Sequence, residues 1–470
     1  MKVEQIYTGC LAQGAYYIES NGEAAIVDPL REVQPYMDLA ESRGAKIKYI
    51  FETHFHADFV SGHVTLAEKT GAPVVYGPLA APKFESLVAE DGQVFELGNV
   101  SIKVIHTPGH TMESTTFLLQ DENGNPHSMF SGDTLFLGDV GRPDLAQKAA
   151  SMTQEELAGI LFDSLRNKIM TLPDEVIVYP GHGAGSACGK NMSKETVGLL
   201  GEQKETNYAL RADMTRDEFI KEVTDGLLPP PAYFPFNVKL NKEGYADVDE
   251  VIETGNQALS PEAFELAANE TGAVVLDVRH QNDFAQVHVP NSIFIGIDGN
   301  FAPWVGAMIR DVEQPILLIT PENRLNETII RLSRVGFDNV IGYLDGGLDA
   351  WQDAGKEVDS VEGISAEEFA ALLKDEKPVI YDVRKTGEYQ SEHVIDANNT
   401  PLDYLNDYLS EYQGVEGKRY LYCAGGYRSM IANSLLKSRG IHGIIDVLGG
   451  FSAIKNTDAP VSEYVCPSTL

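Results

Sequence analysis

The chain has 470 residues, 43% of them hydrophobic and 23% charged, the make-up of a soluble globular protein with room for about three domains. Its 36 Lys and Arg against 70 Asp and Glu leave a formal charge of −34, which repels phosphate backbones and anionic lipid heads and so argues against nucleic-acid and membrane-surface partners. No apolar run reaches the roughly 18 residues of a membrane helix, no secretory signal opens the chain, and the four scattered cysteines (Cys10, Cys188, Cys423 and Cys466) make no disulfide framework, which together point to a reducing, cytoplasmic setting.

Apolar strand-like runs at residues 24–27, 49–51, 74–76, 102–105 and 176–179 alternate with helical patterns. Just past the second run stands Thr53-His54-Phe55-His56-Ala57-Asp58. Strand alternation would send His54 and His56 the same way, converging on one point with Asp58 close behind. His110 in a Pro-Gly-His, Asp133 in a Gly-Asp and His182 in a second Pro-Gly-His each follow a strand-like run, beside Gly or Pro, as loop-borne ligands do. Any one of these taken alone is ordinarily a hydrogen-bonded or solvated side chain, and His63, His106 and His127 read that way. The four motifs in this order form a metal constellation, and imidazole with carboxylate suits zinc or iron. Pro229, Pro230 and Pro231, followed by Tyr233, Phe234 and Pro235, exclude a helix interior or a central strand. A linker is expected near residues 249–254, closing a first domain over residues 1–250.

The remainder repeats itself. Ser260, Glu262 and Phe264 recur 105 positions later as Ser365, Glu367 and Phe369, and Val274, Asp277, Val278 and Arg279 recur as Val379, Asp382, Val383 and Arg384. Each copy alternates strand and helix patterns, so two related α/β domains with parallel sheets are expected, over residues 255–355 and 360–470. In the second copy the apolar run Tyr420-Leu421-Tyr422 leads into Cys423-Ala424-Gly425-Gly426-Tyr427-Arg428-Ser429 and then into a helical pattern. A cysteine at a strand end, before a glycine-rich loop and a helix start, meets loop N–H groups and a helix N-terminus that favour the thiolate. Arg428 adds a positive charge for a sulfur oxyanion. The first copy has Thr320 at the position of Cys423 and no cysteine anywhere in 255–355, so it cannot carry a persulfide.

On these motifs residues 1–245 resemble the metallo-β-lactamase fold, an αββα sandwich with metal at one edge, and the Cys423 loop resembles the rhodaneses. Family members with two metals carry HxHxDH; here Phe59 follows Asp58 and cannot ligate, which favours one metal. The stretch Gly141-Arg142-Pro143-Asp144 is similar to a GRxD element of persulfide dioxygenases. The whole chain thus resembles a persulfide dioxygenase–rhodanese fusion whose first rhodanese-like domain is inactive. That resemblance implies one Fe(II) per chain on His54, His110 and Asp133, with His56, Asp58 and His182 orienting water and ligands or holding a second metal. It implies Arg142 on the anionic thiol carrier, Cys188 near the metal as a sulfur carrier, Cys423 with Arg428 as the sulfur-transfer pair, and Gly425, Gly426, Tyr427 and Ser429 lining that loop; Tyr179, next to Pro180 and close to His182, either hydrogen-bonds the substrate or simply packs. The implied small molecules are a glutathione, coenzyme A or bacillithiol persulfide, O₂, and sulfite or thiosulfate. Related enzymes are homo-oligomers, dimers or tetramers. The competing expectation is a zinc-dependent thioester hydrolase of the glyoxalase II type.

Overall fold

A computed structural model of the chain describes residues 1–415 and 417–466. It divides into two compact units, Met1–Val248 with Ser333–Gly336, and Asp249–Leu332 with Phe337–Leu470.

The first unit is built on two six-stranded sheets. One runs in chain order through β1 (Lys2–Thr8), β2 (Gln13–Ser20), β3 (Glu23–Val27), β4 (Lys46–Glu52), β5 (Val74–Tyr76) and β6 (Leu87–Val88). The other contains β7 (Val94–Leu97), β8 (Val100–His106), β9 (Thr115–Gln120), β10 (Pro126–Gly132), β11 (Ile177–Pro180) and β12 (Gly198–Leu199), again in chain order. The period of two in strand side chains sorts each sheet into two faces. Along β2, Tyr16 and Ile18 join Val27, Phe51, Ile102, Phe117 and Phe130 between the sheets. Their neighbours Ala15 and Tyr17 face the other way, with Ile26, Ile50 and Tyr36, under the flanking helices. A third apolar layer, including Met129, Val178, Leu161 and Phe219, binds helices to the outer face of the second sheet. Each fully buried Leu, Val or Phe contributes roughly 1.5–3 kcal/mol, so these three layers hold the sandwich.

Strands β4, β10 and β11 all deliver their C-terminal ends to one edge. There the chain leaves regular structure at Thr53–Asp58, Asp133 and Gly181–His182.

In the second unit the two copies have the same parallel topology. The strands β13 (Ala258–Leu259), β14 (Val274–Asp277), β15 (Ile293–Phe294), β16 (Ile316–Ile319) and β17 (Val340–Leu344) lie in the order β13-β17-β16-β14-β15. The strands β18 (Gly363–Ile364), β19 (Val379–Asp382), β20 (Asn398–Asn399), β21 (Arg419–Tyr422) and β22 (Ile444–Val447) lie in the order β18-β22-β21-β19-β20. Equivalent helices start on equivalent caps. The Ser260 side chain accepts from Ala263 N–H, and Ser365 forms a capping box with Glu368.

Two local expectations change. The stretch expected as a linker is a helix, Val248–Gly255, in which Val248 and Val251 bury one face and Asp249 and Glu250 suit the positive end of the helix. Pro235 lies inside the helix Phe234–Glu243, but in its first turn, where a missing N–H costs nothing.

Candidate functional site

At the sheet edge of the first unit, one ligand atom each from His54, His110 and Asp133 lies within 4.8 Å of the others, and all three residues are buried. Asp133 Oδ2 is 3.5 Å from His110 Nε2 and 3.9 Å from His54 Nε2, while its Oδ1 is 3.6 Å from His182 Nε2. Neither Asp133 oxygen has a hydrogen-bond partner among the described residues. A dry carboxylate with no donor costs several kcal/mol unless a cation meets it, so this donor set fits a metal ion. Gly181 is required here, because a Cβ at that position would sit 2.6 Å from Asp133 Oδ1. Burial, reinforced by His56 and His110, holds His54 well below the ordinary imidazole range, and the neutral ring is the form that ligates.

The imidazoles are aimed from behind. Asp28, at the end of β3, accepts from Thr53 N–H at 2.8 Å and from Thr53 Oγ1 at 2.8 Å, and Thr53 Oγ1 lies 3.0 Å from His54 Nδ1. His110 Nδ1 lies 2.8 Å from the carbonyl oxygen of Arg142. Partners of this kind fix the tautomer and orientation of a metal-binding His. Asp28 carries no motif in the sequence; its one signal is an acid closing an apolar strand beside β4, which leads to His54.

The His54 and His56 rings lie together, with centroids 4.2 Å apart. The segment after Glu52 is irregular, so strand alternation stops before His56. His56 Nε2 turns to Asp28 Oδ1 at 3.1 Å and Glu52 Oε2 at 3.5 Å. His56 also gathers with Asp58 and His182 within 4.8 Å, and Asp58 Oδ2 is 3.4 Å from His182 Nε2. Burial opposes charge on His182, but Asp58 and Asp133 outweigh it and lift the imidazole well above its ordinary range. Cys188 joins Asp133 and His182 in a further buried group of the same size, and burial pushes its thiol up to about 12. The loop bearing Cys188 is anchored at Asp139, whose Oδ2 accepts from the N–H groups of Lys190 and Asn191.

Arg142 forks onto Asp144, with Nε to Oδ1 and Nη2 to Oδ2 both at 2.7 Å, and also donates to the carbonyls of Ala187 and Leu228. That engages four of the five guanidinium N–H groups. Tyr179 stacks on Phe130 with ring centroids 5.4 Å apart and packs against the core between the sheets.

In the second unit Cys423 follows β21 and is buried. Gly426 N–H donates to its Sγ at 3.1 Å, and the helix Tyr427–Ser438 begins at once. Gly426 has φ +107°, a left-handed conformation that turns this N–H inward. Arg428 is held by a bidentate pair with Glu388, at 2.6 and 2.8 Å, so the guanidinium is aimed rather than free. Glu388 is another residue no motif disclosed. Ser429 Oγ donates to Gly426 O at 3.1 Å, and Tyr427 OH donates to Gly296 O, in the first copy, at 2.6 Å. Gly425 has open space around its Cα.

The first copy lacks these features. After β16 its loop runs Thr320-Pro321-Glu322-Asn323-Arg324, and Arg324 pairs with Glu327 and Asp298. The repeated Asp-Arg pairs have the same geometry in both copies: Arg279 and Arg384 each reach their Asp oxygens at 2.6 Å through Nη2 and donate to the carbonyls of Val287 and Glu392. Identical pairing with and without the cysteine marks them as structural.

The family model described as Metallo-beta-lactamase superfamily matches residues 8–182, and that for the Rhodanese-like domain matches residues 260–354 and 365–457. Human mitochondrial persulfide dioxygenase ETHE1 is 31% identical over 222 residues, which cover 47% of this chain and 78% of the relative. A hydroxyacylglutathione hydrolase from Rhizobium etli is 36% identical over 168 residues, covering 35% of this chain and 58% of the relative. A crystal structure of a metallo-beta-lactamase from Staphylococcus aureus is 31% identical with a TM-score of 0.65, covering 73% of this chain and 98% of that one. With its N-terminal sandwich related in this way and two rhodanese-like domains after it, the chain belongs to the persulfide dioxygenase family of the metallo-β-lactamase superfamily, as a fusion to tandem rhodanese-like domains.

Proposed function

We propose that residues 1–250 oxidise a low-molecular-weight persulfide to sulfite and a thiol, and that residues 360–470 transfer sulfane sulfur through Cys423, making or consuming thiosulfate. The observation that carries the first half is the orphaned Asp133 carboxylate facing His54 and His110 in a family of persulfide dioxygenases. Those three side chains would hold one ferrous ion, and iron held there would supply the redox chemistry that O₂ needs to react with sulfur. The overall change is RSSH + O₂ + H₂O → RSH + HSO₃⁻ + H⁺. Both O₂ atoms enter the terminal sulfur, the S–S bond breaks, and water completes the sulfite and the thiol.

The chain's own groups orient and exclude. Asp28 through Thr53 holds His54, and the Arg142 carbonyl holds His110. The remaining Nη1 proton of Arg142, beside its ion pair with Asp144, is the one free to meet the carrier's anionic group. On this reading Cys188, which neighbours Asp133 and His182, takes sulfur from the same substrate once its buried thiol gives up its proton. Tyr179 contributes by packing beneath the site. In the second reaction the Cys423 thiolate attacks the outer sulfur of a persulfide or of thiosulfate, releasing thiol or sulfite. Gly426 N–H and Arg428 stabilise the charge.

The Rhizobium etli relative supports a second reading, zinc-dependent hydrolysis of a glutathione thioester, with His56, Asp58 and His182 holding a second ion. Metal analysis of protein purified without oxygen, with O₂ uptake on glutathione persulfide, separates the two. About one iron per chain and uptake matched by sulfite are expected; zinc with no uptake ends the oxidation reading.

Replacing Thr320 with Cys is expected to create no second sulfur carrier. Glu322 and Asn323 stand in place of the two glycines, and Arg324 is spent on Glu327 and Asp298. Mass spectrometry after thiosulfate treatment should find persulfide on Cys423 and none at position 320.

A further inference from the structure

The loop from Cys423 to Ser429 carries one guanidinium, Arg428, and a carboxylate is already locked onto it. Glu388 Oε2 accepts from Arg428 Nη1 at 2.6 Å, and Oε1 accepts from Nη2 at 2.8 Å. The carboxylate is anchored from its own side too, because Oε2 also accepts from the backbone N–H of Lys385 at 3.2 Å, where the helix Thr386–Ser391 begins. Burial opposes charge on Glu388, but Arg428 outweighs it and holds the carboxyl below its ordinary range, so both partners are charged at neutral pH. Two of the five N–H groups of Arg428 are taken. The rest can still donate hydrogen bonds, yet the positive charge is matched by Glu388. The neighbouring guanidinium of Arg384, 5.5 Å from the Tyr422 ring, is spent in the same way on Asp382.

The two classes of sulfur donor place different demands on this loop. From thiosulfate the step is Cys–S⁻ + S₂O₃²⁻ → Cys–S–S⁻ + SO₃²⁻. The thiolate pair forms the new S–S bond, and the pair of the broken bond leaves on sulfite. From a protonated persulfide the step is Cys–S⁻ + RSSH → Cys–SSH + RS⁻, with the broken pair leaving on the thiolate. The first gathers three negative charges at Cys423 and the second gathers one. Loop N–H groups such as that of Gly426 can carry one charge. Three call for an unmatched cation, in a chain whose formal charge is already −34.

Resting on Cys423 as the sulfur carrier, we propose that Glu388 is a positioning residue that sets donor choice at this site: by neutralising Arg428 it turns the loop toward persulfides and away from dianionic thiosulfate.

The test times the loading of Cys423. The full chain is mixed without oxygen with thiosulfate or with glutathione persulfide, and persulfide on the Cys423 peptide is followed by mass spectrometry. The unaltered protein should load faster from glutathione persulfide. Its loading from thiosulfate should speed up with added salt, which screens like charges over about 10 Å at 0.1 M. Glu388→Gln keeps the size and one acceptor but removes the charge. It should raise the thiosulfate rate relative to the persulfide rate by roughly threefold to tenfold, the scale of a partly exposed charge pair. Glu388→Asp keeps the charge and should keep the original ratio. A residue that only held the loop in shape would slow both donors alike. An unchanged donor ratio in Glu388→Gln overturns the proposal. So does a thiosulfate rate that falls with salt in the unaltered protein, and this arm needs no variant to fold. In either case Cys423 stands as the carrier. Loading of Cys423 from neither donor overturns the carrier reading and donor choice together.

Discussion

Replacing Asp133 with Ala is expected to strip the first unit of its metal and abolish O₂ uptake, while thiosulfate:cyanide sulfur transfer at Cys423 continues at its original rate. Asp133 faces both His54 and His110 through Oδ2 and His182 through Oδ1. Changing an outer partner of a metal ligand costs roughly 10–100-fold in affinity, and removing a ligating carboxylate costs more. Two further effects work against metal retention. The change leaves His54 and His110 without the carboxylate between them, and His182 loses one of the two carboxylates that raise its pKa. Metal content and uptake should fall together. Retention of iron by the variant would remove Asp133 from the ligand set, and an equal fall in sulfur transfer would show that the two chemistries are not separable.

The reciprocal change, Cys423→Ser, should reduce sulfur transfer to background and leave iron content and persulfide-dependent O₂ uptake unchanged. A hydroxyl is nearly isosteric with the thiol and still accepts from Gly426 N–H, so the loop should keep its shape and the fold should lose no more than about 1 kcal/mol. What is lost is nucleophilicity, because a serine hydroxyl has no thiolate to offer at neutral pH. Sulfite should then accumulate where the unaltered protein yields thiosulfate. Thiosulfate formed at the original rate by this variant would assign the transfer to another thiol, with Cys188 the first to examine.

Much of the architecture is legible in the chain because it rests on short-range pattern. The apolar runs at 24–27, 49–51, 74–76, 102–105 and 176–179 forecast strands, and those strands pack as a sandwich. The recurrence of Ser260, Asp277 and Arg279 at 365, 382 and 384 forecasts two copies, and both sheets have the same strand order. The misreadings occur where local pattern competes with position. The acidic run at 249–254 resembles a linker until Val248 and Val251 find a surface to cover. His54 and His56 come together, 4.2 Å between ring centroids, although the chain has already left the strand, so the loop and not strand alternation sets their direction.

Residue type and spacing alone determined the inventory of reactive groups: the order of the histidine and aspartate motifs, Phe59 where a further histidine would stand, the single cysteine between Gly-rich loop and strand, and its absence from the first copy. These are decided locally, since a side chain's chemistry and its place at a strand end do not depend on what is far away. Which groups meet was decided only by the tertiary structure. Asp28 behind His54, Glu388 on Arg428 and Asp144 on Arg142 are contacts made when separate strands and helices close on a common core. A buried polar atom must find its partner wherever packing places one, and packing is a property of the whole chain.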